Sequence, residues 1–154
     1  MNTLHKIIAS FFGTGYAPIA PGTAGAILAA LLVWLWQTLD PSLTHYGWSL
    51  LALTIAATLL GVYSTDQLEP EWGKDPSKVV IDEAVGLWIT VLFLPVNLYY
   101  LLAGLILFRI FDIWKPLGIR KMESIKGGWG VMLDDVLAGI YANLILQAYI
   151  YLWN

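Results

Sequence analysis

Apolar residues in this chain fall into five long, nearly uninterrupted runs separated by short polar breaks. The runs cover approximately 24–39, 46–63, 79–94, 97–114 and 131–153. A helix of about 20 apolar residues crosses a hydrocarbon core of roughly 30 Å. The first and third runs are short on that scale, which predicts little tilt, local thinning of the bilayer or a start below its surface. None alternates with a period of two as a membrane barrel requires, and all are too long for buried strands. Helices, which satisfy their own backbone, are therefore the predicted elements. Breakers mark the ends: DPSLTHYG after the first run, GKDPSK before the third, LPVN after it, and KPLG with KGGWG before the last. No low-complexity tract or long linker divides the chain. The pattern predicts one domain over 1–154, an all-α polytopic integral membrane helix bundle with four to five membrane helices.

The stretch FGTGYAPIAPGTAG precedes the first run. Gly13, Gly15 and Gly22 permit unusual backbone angles, while Pro18 and Pro21 prevent a continuous helix. A re-entrant or interfacial segment is expected. Thr23 stands where it could cap the first helix, and the amides there, including that of Gly22, would face an anion such as phosphate. The plainer alternative is a helix entry stiffened by proline. A nucleotide P-loop is excluded by the missing lysine and the wrong spacing. Glycine and proline also interrupt the N-terminal apolar residues before a secretory core forms, so no cleavable signal peptide is expected.

Composition supports the membrane reading, since 58% of the 154 residues are hydrophobic and only 12% charged. Nothing points to nucleic acid. The absence of cysteine rules out disulfides, thiolate metal sites and a cysteine nucleophile. Charge becomes informative by position. Lys6, Lys74, Lys78, Arg109, Lys115, Arg120, Lys121 and Lys126 all fall on one side of the predicted bundle. The positive-inside rule makes that side cytoplasmic and puts the C-terminus outside. His5 and His45 then lie on opposite sides and cannot form a catalytic pair.

The acidic residues share the cytoplasmic level. Asp82 and Glu83 open the third run, Arg109 and Asp112 close the fourth, and Asp134 and Asp135 open the fifth. Each site has a plain explanation. The acids could complement a helix dipole, and Arg109 with Asp112, spaced i, i+3, could be a private salt bridge. Asp66, Glu69, Glu71 and Asp75 read as a solvated loop, from which Asp66 could still reach the cluster. Five carboxylates and an arginine brought by three helices to one level need compensation in a membrane. A divalent cation such as Mg²⁺, which prefers hard oxygen ligands and shares its shell with phosphate, would supply it. Gly86 and Gly139 lie about one turn deeper than the two acidic pairs, where helices could approach closely.

The blocks FGTGYAPIAPGTAG, VVIDEAVGLWIT, FRIFDIWKPLGIR and GGWGVMLDDVLAGIYA resemble, in order and spacing, those of the bacterial phosphatidylglycerophosphatase A family. The likeness covers nearly the entire chain, with Ala26 where the family pattern leads us to expect serine. It implies a Mg²⁺-dependent lipid phosphatase of the bacterial inner membrane, its site facing the cytoplasm. The substrate implied is phosphatidylglycerophosphate, converted to phosphatidylglycerol and inorganic phosphate on the route to cardiolipin. The family's acidic motif positions correspond to Asp82, Glu83, Asp112, Asp134 and Asp135, and its basic ones to Arg109 and Lys115. In physical terms the carboxylates would hold one or two Mg²⁺ ions while Arg109 and Lys115 offset phosphate charge. Attack by water and a phospho-aspartate intermediate both remain open. Two rival readings are a phosphatase for another lipid phosphate, such as phosphatidic acid, and a non-enzymatic cation carrier or scaffold. The deeper stretches LWITVLFLP and LLAGLILF offer few polar residues, which argues against an ion path.

Overall fold

The computed structural model describes residues 2–39, 45–74, 76–95 and 97–153. In chain order the elements are α1 (Asn2–Ala9), a 3-10 turn (Thr14–Tyr16), α2 (Pro21–Leu39), α3 (Tyr46–Trp72), α4 (Ile81–Thr90), α5 (Leu98–Trp114), α6 (Ile119–Met122) and α7 (Gly128–Trp153). Among the described residues the fold is all-helical. Helices α2, α3 and α7 are long and apolar enough to cross a membrane, and α5 has 17 residues. Their apolar character extends to the outer surface. Leu31 and Leu35 of α2, Ile55 and Leu59 of α3, Ile106 and Ile110 of α5, and Leu144 and Ile145 of α7 are all exposed. Helices that are apolar on every face suit lipid around the bundle.

The shortest of the predicted membrane elements lies at the centre. Helix α4 has ten residues, about 15 Å of helix, or half a bilayer core. It packs against α2, α3, α5 and α7, and most of its residues are buried. A helix ending inside a bundle leaves carbonyls without intrahelical partners. Two amides of α7 answer them. Asn143 Nδ2 donates to Thr90 O and Leu92 O, both at 2.9 Å, and Gln147 Nε2 donates to Leu92 O and Phe93 O at 3.4 Å. The predicted run 79–94 is thus a helix only over its middle, and its last residues are irregular backbone held by side chains.

Close approach of α4 to α7 depends on glycine. A Cβ on Gly139 would collide with the carbonyl oxygen of Gly86, and one on Gly86 would strike the Phe108 ring and come within 2.8 Å of Asp135 O. The expected contact at these two residues is therefore present, with backbone packed on backbone.

Three expectations are corrected. Helix α3 continues past residue 63 to Trp72, so Asp66, Glu69 and Glu71 ride on a helix and not in a loop, while Asp75 lies outside the described residues. Helix α7 begins at Gly128, which puts Asp134 and Asp135 in its second turn, too far in to cap it. Helix α2 begins at Pro21, whose fixed φ and missing N–H suit a first helical position, so Thr23 lies inside the first turn and is not the cap. The N-terminal segment starts as a helix, α1, packed on α3. Lys6 pairs with Glu71, Asn2 Nδ2 donates to the same carboxylate at 3.2 Å, and the N–H of Val80 donates to Ala9 O at 2.9 Å. Gly15 then lies so near the carbonyl of Lys78 that no Cβ fits.

Asn143→Leu removes the donor from Thr90 O and Leu92 O inside the bundle. We expect a loss of about 1–3 kcal/mol, seen as a lower thermal midpoint in detergent, with no such drop for Leu144→Ala on the exposed face.

Candidate active site

Helix α4 delivers Asp82 and Glu83 in its first turn, and the α4–α7 glycine contact brings Asp135 opposite them. One carboxylate oxygen from each of Asp82, Glu83 and Asp135 lies within 4.8 Å of the others. Asp135 is 3% exposed and Asp134 6%, so solvent does little to screen them. Local hydrogen bonds set their rotamers: the N–H of Glu83 donates to Asp82 Oδ1 at 3.1 Å, and that of Asp135 to Asp134 Oδ1 at 3.0 Å.

Two cations border the acids, each placed by α5 or its end. Arg109 Nη1 is 2.6 Å from Asp112 Oδ2 and 3.8 Å from Glu83 Oε1. Its approach to Asp112 lacks hydrogen-bonding geometry, so it is a charge contact, and Arg109 Nε and Glu83 Oε2 are buried without partners. The i, i+3 bridge therefore forms but is not private, because the same guanidinium faces Glu83. Lys115 ends α5 in a left-handed conformation, φ 48°, that turns its chain back to the bundle. Its Nζ donates to Asp134 Oδ2 at 2.5 Å and Glu123 Oε1 at 2.7 Å. Burial disfavours the Lys115 ammonium, but these two carboxylates outweigh it and hold its pKa above the ordinary lysine value.

The five acids named from sequence divide in two. Asp82, Glu83 and Asp135 share a centre that could hold a metal ion, while Asp112 and Asp134 flank it in ion pairs. Gly22 reaches the same place from α2. A Cβ there would run into Glu83 Oε1 and lie 3.4 Å from Arg109 Nη1, so a larger residue at the start of α2 would push the Glu83 carboxylate away from this ion pair. Thr23, next to it, is half-buried. Asp66 has another task than the one allowed for it. Its Oδ1 accepts the N–H of Gly128 at 2.6 Å and so satisfies one of the free amides that begin α7.

Sequence reasoning did not single out Glu123, Asn143 or Gln147. Asn143 and Gln147, spaced i, i+4 in an apolar run, carried a signal, since amides within membrane helices usually bond to another element. Glu123 carried none, because its role depends on how the loop after α5 folds back.

A family profile described as phosphatidylglycerophosphatase A matches residues 7–150. A "Putative phosphatidylinositol-3-phosphatase" of Bacteroides thetaiotaomicron is 48% identical to the chain, covering 93% of it and 91% of the relative. Proteins named phosphatidylglycerophosphatase A from Escherichia coli and Haemophilus influenzae are 38% and 36% identical, covering 95% and 96% of the chain and 83% and 89% of those proteins. No solved structure matches the chain. With nearly its whole length matched, and the acidic and basic residues of the matching blocks gathered around one point, the chain belongs to the phosphatidylglycerophosphatase A family of phosphatases.

Proposed function

We propose that this phosphatase removes the terminal phosphate of phosphatidylglycerophosphate in a Mg²⁺-dependent reaction, yielding phosphatidylglycerol and inorganic phosphate on the route to cardiolipin. The observation that carries the reading is the group formed by Asp82, Glu83 and Asp135 with Arg109 at its edge. An all-oxygen set of anions suits Mg²⁺, and the partnerless Glu83 Oε2 has a lone pair to give. Asp82, Glu83 and Asp135 would hold the ion, which when bound polarises a phosphoryl oxygen and lowers the pKa of a water. Arg109, whose Nε has no partner, is placed to donate to phosphate oxygens. Lys115 holds Asp134, and Arg109 holds Asp112, so that both flanking carboxylates keep their rotamers as the phosphate arrives. The start of α2 at Gly22 and Thr23 adds backbone N–H groups on the side of Glu83.

The Bacteroides relative supports a second substrate, a phosphatidylinositol phosphate. Both lipids carry a phosphate monoester on a polyol that is joined to the membrane anchor through a diester, so one site chemistry serves either.

For placement, we infer a multi-pass protein of the bacterial cytoplasmic membrane with the acidic centre on the cytoplasmic face. The ion pairs Lys6–Glu71, Arg109–Glu83 and Lys115–Asp134 gather where α3 and α5 end and α4 and α7 begin, which gives the bundle one strongly charged end.

Phosphate release from phosphatidylglycerophosphate by the purified protein should stop on chelation and return with Mg²⁺. Activity indifferent to chelator would rule out the metal reading. Asp135→Asn should lower kcat by about 100-fold or more. With the variant's thermal midpoint close to that of the wild type, the loss of turnover belongs to the site and not to the fold. A periplasm-dependent reporter fused to the C-terminus should be active, and activity only of a cytoplasm-dependent one would reverse the proposed orientation.

A further inference from the structure

Beside the acidic centre, between α3 and the start of α7, lies a cavity of about 310 Å³. Asp134, next in sequence to Asp135, forms part of its wall, so the cavity adjoins the acidic centre, and no residue of α2 lines it. The rest of the polar wall consists of Thr65 and Glu69 of α3, Lys74 just after it, and Glu123. Thr65 is 4% exposed, and its hydroxyl has no hydrogen-bond partner. A buried hydroxyl without a partner is costly, about 1–3 kcal/mol by mutational measures, unless something bound supplies one.

The chemistry of this wall selects among ligands. Three carboxylates, those of Glu69, Glu123 and Asp134, face the cavity with one lysine of its own, Lys74. Lys115, paired with both Glu123 and Asp134, offsets one of those charges. A second phosphate is a poor occupant of such a wall except next to Lys74. Hydroxyl groups fit it well, since each donates to a carboxylate and accepts from Thr65 or Lys74. The size suits a small polyol, being at the lower end of the roughly 300–1,000 Å³ of ligand sites.

We propose that this cavity receives the polyol of the lipid headgroup, glycerol or inositol, and that Thr65 and Glu69 read its hydroxyls. The inference rests on the function proposed above and extends it to specificity. With the terminal phosphate at the acidic centre, the polyol that bears it occupies the adjoining space beyond Asp134. Phosphatidic acid, whose phosphate is joined directly to diacylglycerol, has no polyol to place there. Buried groups left unpaired are what makes a site reject an analogue that lacks a hydroxyl. The cavity thereby gives this chain a reason to prefer polyol phosphates over phosphatidic acid.

The test compares phosphatidylglycerophosphate, phosphatidylinositol 3-phosphate and phosphatidic acid in mixed micelles with Mg²⁺. The wild type should favour at least one polyol lipid, and which one identifies the polyol. Thr65→Val and Glu69→Gln should each lower the ratio of kcat/KM for that lipid to kcat/KM for phosphatidic acid by about tenfold, and Thr65→Ser should retain it. Val131→Phe, which fills the cavity from α7, should lower the same ratio, so the outcome does not hang on the folding of one variant. Inhibition by soluble glycerol phosphate or inositol phosphate should weaken in parallel. Equal use of phosphatidic acid by the wild type, or ratios unchanged across these variants, would overturn the assignment while leaving the phosphatase activity in place. A wild type that hydrolyses none of the three lipids would overturn the proposed function and this inference with it.

Discussion

Mutual repulsion of carboxylates is the constraint around which this end of the bundle is organised. Two unit charges 4 Å apart interact by about 4 kcal/mol at an effective dielectric of 20, and Asp82, Glu83 and Asp135 are held at comparable distances. Such a group persists only if the surrounding structure forces it together and nearby charges offset it. The force comes from the Gly86–Gly139 contact, which locks α4 to α7. The offset comes from Arg109 against Glu83 and Asp112, and from Lys115 against Asp134. What remains uncompensated is a group of oxygens aimed at one point, which is the condition for binding a hard cation.

Helix α4 shows how the fold can afford this. Because it is only ten residues long, its first turn can hold acids at the charged end while its last carbonyls finish inside the bundle. Asn143 and Gln147 bond those carbonyls from the same helix that carries Asp135. One helix, α7, thus fixes α4 at both ends: through backbone contact near the acids and through side-chain amides at depth.

Function then follows from layers around that centre. Arg109 and the start of α2 border it, and the cavity with Thr65 and Glu69 adjoins it. In the proposed function, the phosphate monoester of a lipid headgroup lies at the acids with the rest of the headgroup beside them. The exposed apolar flanks of α2, α3, α5 and α7 suit lipid around the bundle.

Much of this was legible in the amino-acid order because membrane helices write themselves in long apolar runs, and because charges in such runs are too costly to be incidental. The helical class, the shared level of the acids and the role of Gly86 and Gly139 were readable in that way, as was the family likeness. Lengths of helix within the runs were not. Residues 64–72 are polar enough to pass for a loop, yet they extend α3, since Glu71 meets Lys6 and Asp66 anchors α7 only when the helix continues. Residues 91–94 are apolar enough to pass for helix, yet they leave it because distant amides satisfy their carbonyls. Nor does the order of residues tell which acids share a centre. Five carboxylates stood at one level in the sequence; which three lie within reach of one point, and which two pair with Arg109 and Lys115, was decided by packing between helices and not by any one of them.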